Sequence, residues 1–248
     1  MSRRAQRMFK VVGIIIVIIA IGTIGFNIYK EKEAIQIAQE YLLEKYEQEM
    51  SYLSVWFSWV DPSLYHVYFF PQNNSELIFE VMVSNDLKEP EERINSYGQH
   101  FSPDNYYLRY FEWLLAQQFN NSIKKAWGNN AYAQVRVPNH ALYSFTVPAE
   151  LSDELALDEM VALVDDYLIL IDTSQELNEA NKLHEAEKIL IVIQSVQQSG
   201  YEPENLVFWY NTLSSDRNKH ISLGFTDWAS VFSTKPVLER IEEALEVK

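Results

Sequence analysis

An uncharged run of 19 residues, Val11 to Tyr29, constrains this chain more than any other feature, and its centre Ile14-Ile15-Ile16-Val17-Ile18-Ile19-Ala20-Ile21 carries no polar side chain. As a helix rising 1.5 Å per residue it would reach roughly 28 Å, about the thickness of a bilayer's hydrocarbon core. A helix satisfies its own backbone donors and acceptors there, which lipid cannot do. Arg3, Arg4, Arg7 and Lys10 precede the run, and the balanced Lys30-Glu31-Lys32-Glu33 follows it. Basic flanks stay on the cytoplasmic side. The pattern therefore predicts a cytoplasmic stub over 1–10, one transmembrane helix over 11–29, and residues 31–248 outside the cell membrane. Ala20-Ile21-Gly22 also fits a small-x-small cleavage site, so a cleaved signal peptide is the competing reading. The apolar run continues past that site to Phe26, which favours an anchor.

Beyond residue 30 the chain keeps roughly 218 residues, enough for one medium domain or two small ones. Hydrophobic residues make up 48% and aromatics 14%, so a real core can form. The net charge is −15, and every one of the 35 Asp and Glu lies beyond residue 30. Such a surface repels phosphate backbones and anionic polymers, which argues against nucleic-acid binding. The chain has no cysteine, so disulfides, thiolate chemistry and cysteine lipidation are excluded. An exported domain without disulfides points weakly to Gram-positive bacteria.

Ala34, Ile37, Ala38, Tyr41, Leu42 and Tyr46 recur at helical spacing and predict an amphipathic helix continuing from the apolar run. Leu53–Val60, Tyr65–Phe70 and Leu77–Val83 read as strands; the turn signals between them suggest an antiparallel meander. A second helix is capped by Asp104 or Ser102, with Leu108, Phe111, Leu115, Phe119 and Ile123 on one side and Gly128-Asn129-Asn130 as its stop. The second half reads as strands at Ala131–Val137, Leu142–Val147, Tyr167–Ile171, Leu206–Tyr210 and His220–Phe225. A short acidic helix is expected over 153–165, a strong helix from Leu183 to Val196, and a last helix after Pro236. The expected fold class is α+β: one N-terminal transmembrane helix followed by an ectodomain of two small α+β units with antiparallel sheets, residues 31–130 and 131–248.

No catalytic, cofactor-binding or metal-ligating residue is assigned. Of His66, His100, His140, His184 and His220, none pairs at zinc-binding helix spacing; His184-Glu185 has Lys188 where a second ligand would stand. The acidic residues Asp153, Glu154, Asp158, Glu159, Asp165 and Asp166 lack the spacing and glycine of a calcium loop and read as a solvated face. Nucleophile-elbow, phosphate-loop and dinucleotide signatures are absent. The unusual feature is aromatic density. Trp56, Trp59, Tyr65, Tyr68, Phe69 and Phe70 crowd the first two strands, and Tyr106, Tyr107, Tyr110 and Trp113 crowd one helix. Aromatics in sheets are usually core. Alternatively, Trp56, Trp59, Tyr106, Tyr110 and Trp113 form a ligand or partner surface, because aromatic faces suit sugars, peptides or a partner helix. Trp56 and Trp59 have opposite parity on the strand and should point apart.

Ala38-Gln39-Glu40-Tyr41-Leu42-Leu43-Glu44-Lys45-Tyr46 before a strand pair, with Asp104-Asn105-Tyr106-Tyr107-Leu108-Arg109-Tyr110-Phe111-Glu112-Trp113 opening the second helix, resembles the YfjL-like membrane-anchored proteins of Bacillus-type bacteria. The likeness covers mainly residues 1–130. It implies a membrane location and a two-part α+β ectodomain, and it transfers no catalytic residue. The expected role is binding or interaction at the bacterial cell envelope, with the lipid bilayer, an envelope protein or a wall component as partners. The alternatives are a cell-envelope enzyme with a convergent active site and an accessory subunit of a membrane complex.

Overall fold

The computed structural model describes residues 3–58, 64–88, 90, 93–94, 100–137, 167–211 and 220–246; the side chains of 3–21, 24, 93–94 and 100–101 lie outside that description. The chain folds as two compact units, Met1–Arg93 with Ser102–Tyr106, and Ile94–Phe101 with Tyr107–Lys248. It is α+β, as expected.

The first unit joins one long helix to a three-stranded sheet. Helix α1 runs unbroken over Arg3–Tyr46, followed by β1 (Met50–Phe57), β2 (Leu64–Pro71) and β3 (Phe79–Ser84) in an antiparallel meander of order β1-β2-β3. Ala34, Ala38, Leu42 and Tyr46, four residues apart, are buried along one line of the helix. The two alanines let the helix lie close to the sheet, since nothing beyond Cβ separates the backbones. Tyr65, Val67 and Phe69 on β2 and Phe79, Val81 and Val83 on β3 alternate into the same core. Glu47, in the left-handed region at φ 51°, ends α1 and donates its N–H to the Leu43 carbonyl. A β-bulge interrupts the β1–β2 register between Tyr52 and Ser54. The segment around Pro103–Asn105 runs beside β3: Met82 N–H donates to Pro103 O at 2.7 Å, and Asn105 N–H to Glu80 O at 3.2 Å.

Among the described residues no helix is long and apolar enough to cross a membrane. Most of the predicted span, residues 11–29, lies where side chains are outside the description. Within the described part, Phe26, Ile28 and Tyr29 are 59%, 49% and 61% exposed, in contrast to the buried line that begins at Ala34.

A separate two-residue ladder pairs β4 (Arg93–Ile94) with β5 (His100–Phe101). The second unit contains α2 (Tyr106–Trp127, from Tyr107 onward), β6 (Ala131–Arg136), β7 (Leu168–Glu176), α3 (Lys182–Ser199), β8 (Asn205–Asn211), β9 (His220–Phe225) and α4 (Thr234–Glu246). Its four-stranded sheet has order β6-β7-β8-β9. It departs from the all-antiparallel expectation, because β7 and β8 pair in parallel while the outer pairs are antiparallel. The connection explains this: α3 carries the chain back to the starting end of the sheet, as a parallel pair requires. Gly200, left-handed at φ 78°, ends α3, and glycine adopts that conformation without steric cost.

The division between units also differs from the expected boundary near residue 130. Leu108, Phe111, Leu115, Phe119 and Ile123 of α2 share one hydrophobic cluster with Ile169, Ile171, Phe208 and Phe225 of the second sheet and with Ile189, Val192, Ile193 and Val196 of α3. The apolar stripe of α2 is therefore spent on the second core rather than the first. The strand predicted at 142–147 and the helix at 153–165 lie outside the described residues.

Candidate functional site

Of the five aromatics singled out from sequence, the four that are described differ in burial and are divided between the two units. Trp56 sits on β1 and is 54% exposed. Trp59 lies outside the described residues. Tyr106 is core: its ring packs 4.7 Å from Tyr46 and 5.0 Å from Phe79, on the sheet face opposite Trp56. Tyr110 and Trp113 belong to the second unit, half-buried, with rings stacked at 6.1 Å and 20°. Of the described four, Trp56 alone presents a largely open ring.

The sheet register supplies its neighbours. Trp56 stands opposite His66, and His66 opposite Met82; one step along the same face, Ser54 stands opposite Tyr68, and Tyr68 opposite Glu80. Side chains at alternating positions share a face, so Trp56, His66, Tyr68, Glu80 and Met82 lie together on the side away from α1. The Trp56 and His66 rings are 4.7 Å apart, tilted at 42°. His66 Nδ1 hydrogen-bonds Glu80 Oε1. The Glu80 main chain is fixed as well, its N–H donating to Asn105 Oδ1 at 2.7 Å. The exposed indole and the partly buried imidazole and carboxylate thus form a connected row across three strands. Sequence alone named Trp56 but missed His66 and Glu80, which it had no means of placing beside the indole before the register was known.

Three buried carboxylates serve the fold. Asp104 accepts hydrogen bonds from Tyr41 Oη (2.6 Å), Tyr46 Oη (2.8 Å), Lys45 Nζ (2.7 Å) and the Tyr106 N–H (3.0 Å), tying the end of α1 to the start of α2. Glu112 accepts the Val137 N–H at 2.9 Å and pairs with Arg109. Glu185 accepts from Trp127 Nε1 and Lys188 Nζ, each at 2.7 Å. A carboxylate whose oxygens are taken up by donors in a packed interior serves as an anchor for the elements that supply them. His184, by contrast, is exposed and has only Glu187, 3.7 Å away, for an ionic partner among the described residues. Among the same residues no three His, Cys, Asp or Glu side chains gather as metal ligands.

Two buried tyrosines give the second unit an alkaline limit. Burial pushes the Tyr167 hydroxyl up to about 12. Burial, then the Glu185 charge, raises Tyr210 well above the ordinary tyrosine range. Both shifts favour the protonated phenol in the folded state. Their stabilising contribution is complete below about pH 10, the ordinary value, and is lost as pH rises toward the folded value. We expect the second unit to lose about 2 kcal/mol through Tyr167 alone between about pH 10 and 12. Denaturant titration at several pH values measures this, and Tyr167→Phe should flatten the slope; an unchanged slope in that variant would exclude Tyr167 as its source.

No family model matches this chain, and no curated protein matches it. Among solved structures, the crystal structure of a DUF5037 family protein from Ruminococcus gnavus is similar at a TM-score of 0.46 and 15% identity, over 86% of this chain and 99% of that one. A likeness at that level carries no conclusion about fold or function.

Proposed function

We propose that this protein is a membrane-anchored, extracytoplasmic binding protein of the bacterial cell envelope, a relative of the YfjL-like proteins, with residues 11–29 in the bilayer and both α+β units outside. The observation that carries the proposal is the change of character along α1. Its backbone continues without interruption from the uncharged run into the first unit. Phe26, Ile28 and Tyr29 expose large apolar surfaces, whereas Ala34, Ala38 and Leu42 are buried against the sheet. Exposed apolar residues at the end of such a run suit lipid, and Tyr29 suits the headgroup interface. Lys30, whose Nζ donates to the Asn85 carbonyl at 2.9 Å, ties the same height of the helix to the turn after β3. The first unit would then stand directly on the membrane surface.

Binding rather than catalysis is the reading the side chains support. The buried carboxylates are engaged in structural contacts, and the open chemistry of the first unit is an aromatic–polar surface centred on Trp56. A reporter enzyme active only outside the cytoplasm, fused after Lys248, should be active in growing cells. Activity of a cytoplasm-dependent reporter at the same position would overturn the orientation.

A further inference from the structure

We propose that the end of the first sheet nearest the apolar run, the turn over 84–88 with Phe57 at the end of β1, lies in the headgroup layer of a phospholipid bilayer. This deepens the membrane-anchored reading and rests on it. The line of α1 that faces the sheet repeats every four residues: Phe26, Lys30, Ala34, Ala38, Leu42 and Tyr46. From Ala34 onward the line is buried, Lys30 is half-buried, and Phe26 is 59% exposed. The sheet therefore ends beside Lys30. The ammonium marks the place, with Nζ donating to the Asn85 carbonyl at 2.9 Å and to Asn85 Oδ1 at 3.1 Å. Tyr65 stands at the same height: burial, then the Glu31 charge, holds its hydroxyl above the ordinary tyrosine range. The register carries that height across the sheet. Tyr65 pairs with Phe57 and Val83, and Leu64 pairs with Ser84, which the Asn85 turn follows.

Depth selects the occupant. Phe26 precedes Lys30 by one turn, about 6 Å along the helix. The headgroup layer adds about 5–7 Å to each side of the hydrocarbon. With Tyr29 at the boundary, the turn held by Lys30 lies within that layer. A protein partner has no room beneath it, since even a single helix is about 10 Å across. The side chains of the turn suit the position. Half-buried Leu87 brings an apolar group, and Lys88 has a long stem that lets its ammonium reach toward water. Leu87 is left-handed at φ 57°, so a large apolar side chain stands where glycine would be easier. Charge at this height balances, with Lys30, Lys32 and Lys88 against Glu31, Glu33 and Asp86. Neutral phosphatidylcholine therefore suffices, with no call for anionic lipid.

The chain has no cysteine, so single cysteines can carry a nitroxide at chosen positions. Full-length Leu87→Cys, Lys88→Cys, Ile78→Cys and Ile18→Cys are each labelled and placed in phosphatidylcholine vesicles. Collisions with oxygen and with a water-soluble nickel chelate, present on both sides, report depth. Lipid favours oxygen and excludes the chelate, whereas burial in protein lowers both. Ile78 is the control: it is exposed and precedes β3, about 20 Å along the strand from Ser84. The ratio of oxygen to chelate collisions at positions 87 and 88 should exceed that at 78 at least about threefold, and position 18 should exceed all of them. Unchanged hydrogen exchange in β2 shows that the variants remain folded, and position 88 carries the result if Leu87→Cys disturbs its turn. If 87 and 88 match 78 while 18 is deep, the contact is overturned and the anchor stands. If 18 also matches 78, the membrane reading falls and the contact with it.

Discussion

Replacing Asp104 by alanine is expected to destabilise the first unit by about 3 kcal/mol or more, because it strands several donors that share one buried acceptor. The Asp104 side chain is 2% exposed and receives two phenols, an ammonium and a backbone amide. Alanine leaves the Tyr46 hydroxyl in the interior and removes the group that gathers the end of α1 against the residues before α2. Lys45 is the least costly of these partners to release, being one-third exposed, so Lys45→Met should cost less than about 1 kcal/mol. Asp104→Asn should fall between the two, since an amide oxygen can still accept while its NH2 meets other donors. Hydrogen exchange of β2 and β3 amides measures the effect where it arises. A loss below about 1 kcal/mol in Asp104→Ala would show that water replaces the carboxylate at little cost and that α1 is held by its alanine line alone.

Two charges in the middle of the apolar run should have an even larger effect. Each lysine at the centre of a spanning helix costs about 3 kcal/mol of insertion free energy, so Ile15→Lys with Ile19→Lys should shift partitioning by about ten-thousandfold. The parent protein should stay in the membrane pellet through an alkaline carbonate wash, and the double variant should appear in the supernatant. A parent chain released by carbonate alone would remove the bilayer from the account. So would a double variant that stays in the pellet.

The parts of the fold legible from sequence are those set by local period. Tyr65, Val67 and Phe69 against His66, Tyr68 and Phe70 announce a strand with two unlike faces, and the stripe on α3 announces a helix. Partner choice was less legible because it is decided at a distance. The stripe of α2 would satisfy either sheet, and only packing against Ile169, Phe208 and Phe225 shows which it serves. The parallel pairing of β7 with β8 depends on where α3 delivers the chain. Asp104 was legible as a helix cap, and its Tyr106 contact agrees, but its larger role was not. A signal for that role was present: Tyr41 and Tyr46 sit on an otherwise apolar helix face, and partly buried hydroxyls need an acceptor nearby. The candidate site was half legible. Trp56 stood out by residue type, whereas His66 and Glu80 gained meaning only through the pairing of three strands.

The bulge at Tyr52–Ser54 bears on whether copies of this chain can pair edge to edge. β1 is the terminal strand of its sheet, and Tyr52, Leu53 and Trp56 leave apolar surface along it. A regular strand of that composition would invite its counterpart on a neighbouring molecule to zip alongside, all the more when molecules are confined to two dimensions. The extra residue kinks the rim and breaks the even ladder such zipping requires. Crowded molecules can therefore keep their sheets separate, and the indole beside the kink is left for something other than self-association.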